Sequence, residues 1–400
     1  MSRRAERRPT LLTPAFLAVL VSTLAYFIAV GATLPLLSLF VKGPLGGDSV
    51  AVGFASGSFA VSAIVLRPFM GRLGDRRGRR LLIVGGAALG GLSLAGYALA
   101  ESLWVLVPMR LIGGIGEAAF FTGAATATAD MAPEERRGEA VSFFSLGLYA
   151  GIAIGPLLGE WILDGTHFTR VWLIAGGGLL VSALLGIRVP DTRPEGVAGE
   201  EQGGLINRAG LVPGFVIAAS VWGFAGFESF VPLYARDLAL DGSRFVFLTY
   251  ALVILAVRLF GARIPDRVGP RRTATVSLAT SAVGLVLMTV LGTPVGLYTG
   301  TVVFALGQSL AFPALMSLAV AAAPAAQRGS VIGTFTAFVD LGFGIGPVTA
   351  GAVVAMTSNR GAFAAGAVAA VIGLAILRTR PEVRPVRPTA PPAAVPEVEG

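Results

Sequence analysis

Residues 69–81 read Phe69-Met70-Gly71-Arg72-Leu73-Gly74-Asp75-Arg76-Arg77-Gly78-Arg79-Arg80-Leu81. On either side of this charged run the chain turns apolar for about 20 residues, the length that crosses a bilayer as a helix. The run therefore reads as the connection between two membrane spans. Working outward from it, apolar stretches place helices at 12–40, 51–70, 81–100, 104–128, 139–162 and 171–187. Six more fall at 211–235, 244–261, 273–292, 295–322, 329–357 and 361–377. Only 14% of the 400 residues are charged, against about 25% in soluble domains. The fold class expected is an all-α integral membrane protein of twelve transmembrane helices.

Between the sixth and seventh spans lies a polar stretch with Asp191, Arg193, Glu195, Glu200, Glu201 and Arg208 among glycines and prolines. It reads as a flexible linker. The organisation expected is one six-helix half over 1–188, a linker over 189–209 and a second half over 210–378. The proline-rich tail over 379–400 is expected to be disordered. The basic start, Arg3, Arg4, Arg7 and Arg8, precedes an apolar span from Leu11 to Val41. That span is too long for a signal-peptide core, so it reads as a retained first helix.

The net charge of +8 does not point to nucleic acid, because the basic residues sit at the ends of apolar spans. The segments on the side that would carry both termini hold 23 of them, and the opposite segments hold 5. The positive-inside rule then puts both termini in the cytoplasm, and the location expected is the cell inner (plasma) membrane. Cysteine is absent, which excludes disulfides and thiol chemistry. His167, the single histidine, lies in a predicted loop and reads as a surface residue. No nucleotide-binding loop, metal-ligand cluster or nucleophile motif is present. No enzyme activity, cofactor or metal is expected.

The two halves repeat at an offset of 191 residues, as from Arg67 to Arg258. Arg67, Phe69, Arg72, Asp75, Arg76, Gly78 and Arg80 match Arg258, Phe260, Arg263, Asp266, Arg267, Gly269 and Arg271. The same offset carries Gly116 and Phe121 onto Gly307 and Phe312, and Pro133, Arg137 and Gly138 onto Pro324, Arg328 and Gly329. It also carries Gly151, Gly155 and Pro156 onto Gly342, Gly346 and Pro347. The chain is thus two halves in parallel orientation, a transporter plan whose binding site lies near the bilayer midplane between the repeats.

On these residues the chain resembles the major facilitator superfamily. Gly71, Asp75, Arg76, Gly78, Arg79 and Arg80 look like its signature loop, with a degraded copy at Asp266 and Arg267. The resemblance implies a latch between the halves that releases as the transporter alternates. Gly78 suits a tight turn, and Asp75 is expected to accept from helix N-terminal amides. Arg110, followed by Gly114, Gly116 and Glu117, resembles a second family motif linked to proton transfer. Glu117 stands two helical turns after Arg110, about 10 Å along the axis, so both project from about one face. The family has a small residue at the Glu117 position, so that acid is either a protonatable or substrate site or half of a structural Arg–Glu pair.

Gly147, Gly151, Gly155, Pro156 and Gly159 resemble the family's antiporter signature, incomplete because Glu160 replaces its last glycine. The spacing also serves plain close helix crossing. Glu228 and Asp340 are further acids within spans, readable as proton carriers or as fixed hydrogen-bonded groups. Tyr26, Phe27, Phe120, Phe121, Phe143, Phe144, Tyr149, Trp222, Phe227 and Phe338 are candidates to line an apolar cavity. The reading reached is a monomeric, proton-coupled exporter of a small amphipathic molecule or drug. An uptake symporter for a sugar or organic acid, and a non-transporting membrane enzyme or accessory protein, are the alternatives. The partners are a small-molecule substrate, protons and the lipid bilayer.

A reporter fused after Arg380 should be active only in its cytoplasmic form, given the 23 to 5 basic asymmetry. Activity of a periplasmic reporter at that point would overturn the orientation.

Overall fold

The computed structural model describes residues 11–133, 136–192, 206–261, 264–322 and 328–379. Most of the linker and tail, together with Arg263, Pro324 and the side chain of Asp266, lies outside them. The first half comprises α1 (Pro14–Lys42), α2 (Ser49–Arg77), α3 (Arg79–Gly96), α4 (Leu103–Asp130), α5 (Arg137–Leu163) and α6 (Phe168–Gly186). The second comprises α7 (Arg208–Asp237), α8 (Arg244–Gly261), the short α9 (Ile264–Val268), α10 (Pro270–Leu291), α11 (Pro294–Ala321), α12 (Arg328–Met356) and α13 (Asn359–Thr379). Twelve of these helices are long and apolar enough to cross a membrane.

Local chemistry sets the helix ends. Thr13 accepts from the Phe16 amide at 3.2 Å and precedes Pro14, whose fixed φ suits a first helical turn. Asp48 caps α2 through the Ala51 amide at 2.8 Å, and Thr293 caps α11 through Gly296 at 3.1 Å. One expectation is corrected here. The charged run is not a loop, because α2 continues to Arg77 and α3 starts at Arg79, leaving Gly78 alone as the turn. A φ of +92° at Gly78 makes a single-residue reversal possible. Cationic side chains at 76 and 77 also favour the C-terminal end of α2. Gly269, at the same offset, repeats the turn with φ +94°.

The outer surface is apolar, as lipid requires. Phe54, Leu92, Phe260 and Val290 are all exposed. Trp104 and Trp161 lie near the ends of α4 and α5 on one face, 90% and 76% exposed, as interfacial anchors do.

Inside, glycines bring helix backbones together. A Cβ on Gly116 would sit 2.7 Å from the Gly86 carbonyl oxygen and 2.8 Å from the Gly90 amide. In the second half, one on Gly307 would meet Ser277 and Ser281, the residues at the same offset from Gly86 and Gly90. Gly155 lies on Gly31, and Gly346 lies on Trp222, again the offset partner. The sequence repeat is therefore a repeat of helix crossings.

Gly155→Val should lower thermal stability in detergent, since its Cβ would meet Gly31 and Ala32 backbone atoms at 2.5–2.6 Å. Overpacking of that kind costs about 1–3 kcal/mol. Gly177→Val faces open space and is the matched control. Equal melting temperatures for the two variants would contradict the crossing.

Candidate functional site

The halves meet along two pseudo-equivalent seams. Along α2–α12, Gly53 lies against Pro347, Gly57 against the Gly344 carbonyl and Gly351 against Ser49. This ladder of small residues leads down to Arg67. There Nη2 of Arg67 donates to Asp340 Oδ1 at 2.9 Å, and Nε stands 2.6 Å from Oδ2 as an ion contact off the hydrogen-bond axis. The same Nη2 reaches Glu117 Oε2 at 3.3 Å. The Arg67 guanidinium also lies 5.3 Å from the Phe121 ring centre. One guanidinium thus joins α2, α4 and, across the seam, α12. All three side chains are less than one-fifth exposed.

Along α5–α8, Arg258 Nη2 donates to the Tyr149 hydroxyl at 2.8 Å and lies 4.2 Å from that ring's centre. Arg258 is the offset partner of Arg67, and Tyr149 is the offset partner of Asp340. Each seam therefore carries an arginine clasp, ionic in one and phenolic in the other. Further along α5–α8, Glu160 accepts from the Ser243 amide at 2.8 Å and its hydroxyl at 2.7 Å. A carboxylate supplied by one half thus binds just before the N-terminus of α8 in the other, where the helix dipole favours negative charge.

Arg110 does not pair with Glu117, so the alternative of a structural pair between these two is not what the structure shows. It donates to the carbonyls of Ala55 at 2.9 Å and Ser56 at 2.8 Å, and its guanidinium lies 4.8 Å from the Phe59 ring centre. A separation of two turns is too long for both side chains to meet, while α2 passes beside each. Arg110 is the charge that acts on Glu228 of α7. Among the described residues Glu228 has no hydrogen bond or ion pair. The ionisable groups thus form two layers about 10 Å apart along α4. Arg110 and Glu228 make one; Arg67, Glu117 and Asp340 make the other. Gln308, the offset partner of Glu117, is fixed by Ser220, accepting from its hydroxyl at 2.6 Å and donating to its carbonyl at 3.0 Å.

At the α2–α3 turn, Asp75 pairs with Arg79 at 2.6 Å, and Arg79 reaches Asp130 of α4 at 3.3 Å. The expected bonding of Asp75 to helix amides is replaced by this ion pair, because α2 continues past it. The Asp191 carboxylate rests on Gly78, leaving no room for a Cβ there. Gly151, Gly155 and Gly159 all pack on α1 within the same half. A Cβ on Gly147 would sit 3.5 Å from the Leu20 carbonyl oxygen, in ordinary contact. Among the aromatics, Tyr26 and Phe120 stack at 3.9 Å between centroids and are buried, while Trp222 and Phe338 pack on Gly346 and Gly214. Of the aromatics proposed from the sequence, Phe121 and Tyr149 lie against Arg67 and Arg258. His167 is exposed. No metal-binding group of side chains occurs among the described residues.

The cross-half contacts crowd toward the face away from the termini. There a single apolar cluster unites Leu36, Phe40 and Val52 with Phe230, Leu233 and Val354. Toward the termini, one cluster around Phe16 stays within the first half, and another around Val331 and Phe335 stays within the second. Gly71 of α2 and Gly333 of α12 face open space. The apolar packing that joins the two halves is therefore concentrated, among the described residues, on the face away from the termini.

Arg67 and Arg258 were visible in the sequence as repeated charges but not as clasps. The signal that finds them is the offset itself, applied to Asp340.

The sequence model described as Major Facilitator Superfamily matches residues 19–264 and 238–398. An uncharacterised MFS-type transporter of Salmonella typhimurium is 28% identical over 370 residues, covering 88% of this chain and 92% of that protein. The uncharacterised MFS-type transporter YhhS of Escherichia coli O157:H7 is 26% identical over 345 residues, covering 84% and 85%. A bacterial homologue of the human lysosomal transporter Spinster has a similar fold, with a TM-score of 0.76 at 15% identity over 91% of this chain and 95% of that one. The nucleoside transporter NupG superposes with a TM-score of 0.74 at 15% identity over 91% and 99%. With its two repeats, twelve spans and matching sequence model, the chain belongs to the Major Facilitator Superfamily of membrane transporters.

Proposed function

We propose that this transporter is a proton-coupled exporter of small amphipathic molecules, working by alternating access about the α2–α12 and α5–α8 seams. With the termini in the cytoplasm, the face that lacks a shared apolar cluster is the cytoplasmic one, which supports an inward-facing state. The observation that carries the reading is the sharing of Arg67 by Glu117 and Asp340. One guanidinium offsets one carboxylate, so with both acids ionised the cluster keeps one uncompensated negative charge away from water. A single proton removes it. Because Asp340 stands across the seam, protonation there also loosens the only ionic tie between α2 and α12 among the described residues. Charge compensation and opening of the seam are then one event. The other seam, held by Tyr149 and Arg258, has no carboxylate in its clasp and does not respond in that way.

Glu228 is the second proton or substrate group, placed beside the face where the shared apolar cluster joins the halves and facing Arg110. Occupation of the two layers in turn would let a proton entering from outside reach the inner cluster. The run from Gly71 to Arg80 serves as the cytoplasmic gate, with Asp75, Arg79 and Asp130 holding the ends of α2, α3 and α4 together.

Glu117→Gln, Glu228→Gln and Asp340→Asn test the coupling in everted vesicles loaded with fluorescent amphipathic dyes. At least one should lose gradient-driven accumulation by about tenfold or more while dye exchange continues, since intramembrane acids are held for ion pathways. Wild-type gradient-driven transport in all three would remove proton coupling at these acids.

Asp75→Asn should insert normally yet transport roughly tenfold more slowly, as gating variants do. Wild-type turnover by correctly inserted protein would remove the gate assignment.

A further inference from the structure

A pocket opens on the face that carries the termini, outside the seams. It lies between the α2–α3 turn and the end of α6, and is lined by Arg76, Arg77 and Arg80 together with Leu81, Val84 and Ile187. Asp191 also borders it, with its carboxylate laid on the Gly78 turn. The three arginines are exposed. The chemistry of the wall is mixed in a particular order. Guanidinium groups stand where the spans end, and apolar side chains stand just inside the span. On α6 the apolar wall continues: Leu180, Leu184 and Ile187 recur on one helical face and are 41%, 64% and 53% exposed. This stripe runs from the pocket toward the bilayer centre.

We propose that this pocket is a binding site for one anionic phospholipid, its phosphodiester held by Arg76, Arg77 and Arg80 and an acyl chain laid along Leu184 and Leu180. Basic pockets at membrane-helix ends suit acidic lipid headgroups. A free anion would need only the arginines. The apolar wall and the stripe below it are what commit the site to a lipid.

The internal repeat supplies a comparison within the molecule. At the offset of 191 residues, Leu81, Val84 and Ile187 become Arg272, Thr275 and Arg378. The apolar wall is therefore lost in the second half. The counterpart of Arg80, Arg271, is turned inward and donates to the Leu377 carbonyl at 2.6 Å. Both copies are basic, but only the first joins guanidinium groups to an apolar wall. General attraction to an acidic membrane surface would act on both copies alike, whereas a built lipid site belongs to the first alone.

Native mass spectrometry of the full chain in detergent, titrated with phosphatidylglycerol or phosphatidylcholine, tests the site. The wild type should retain one phosphatidylglycerol in preference to phosphatidylcholine. Replacing Arg76, Arg77 and Arg80 by Gln should abolish that preference, with retention falling roughly fivefold for each arginine removed. The control variant Arg267→Gln, Arg272→Gln, Arg378→Gln removes as many charges from the second copy and should behave as wild type. Ile187→Ser should weaken retention with every arginine in place. Should the triple variant not fold, Arg80→Gln alone carries the comparison. Equal loss in both triple variants, or no preference for phosphatidylglycerol in the wild type, overturns the proposal. So does displacement of the lipid by soluble glycerol 3-phosphate, which would mark a free-anion site.

Discussion

Inside hydrocarbon every backbone amide and carbonyl must find its partner within the protein. This constraint makes each span of this chain a helix, and it decides how the helices attract one another. Lipid is as apolar as leucine, so no hydrophobic force gathers helices once they are inserted. Close van der Waals approach must do it, and that requires small residues where backbones cross. The 54 glycines of this sequence answer that need. Gly31 with Gly155, Gly86 with Gly116, and Gly53 with Pro347 each leave no room for a side chain. Oily residues such as Phe260 and Leu92, which a soluble protein would hide, face outward instead.

The repeat keeps those crossings and changes the chemistry laid over them. Gly116 and Gly307 perform the same task at the same contact. Yet Glu117 becomes Gln308, and Tyr149 becomes Asp340. The α2–α12 seam is tight, glycine-lined and ends in an ionic clasp. The α5–α8 seam is joined by longer polar side chains, with Glu160 on Ser243 and Tyr149 on Arg258. A scaffold built twice from the same backbone contacts thus gains one seam whose arginine is clasped by a carboxylate and one whose arginine is clasped by a phenol.

Much of this was legible in the sequence, and the limits were physical. Spans are legible because twenty apolar residues have few alternatives. The repeat is legible because Gly78 and Gly269 must both adopt positive φ, which keeps glycine at both turns. The pairing of charges was not legible. Arg110 and Glu117 share a helix, and their spacing suggested partnership, but each is closer to α2 than to the other. Which neighbour passes beside a helix is a property of three-dimensional crossing, not of periodicity along one segment. Likewise Glu160 looked like a departure from a glycine pattern. Only the approach of α8 makes it a cap for Ser243.

The two charged layers also explain why the acids tolerate their surroundings so differently. Glu117 and Asp340 share a guanidinium, so removing Arg67 would strand both, and a buried charge left without its partner typically costs about 3–5 kcal/mol. Glu228 has no such partner among the described residues and feels Arg110 only at a distance, because that arginine is already spent on the carbonyls of Ala55 and Ser56. Glu117 and Asp340, by contrast, both reach the Arg67 guanidinium directly. One layer thus holds its acids on a shared cation, and the other keeps its acid apart from one. That difference is laid over a helix framework that is otherwise nearly symmetric between the two halves.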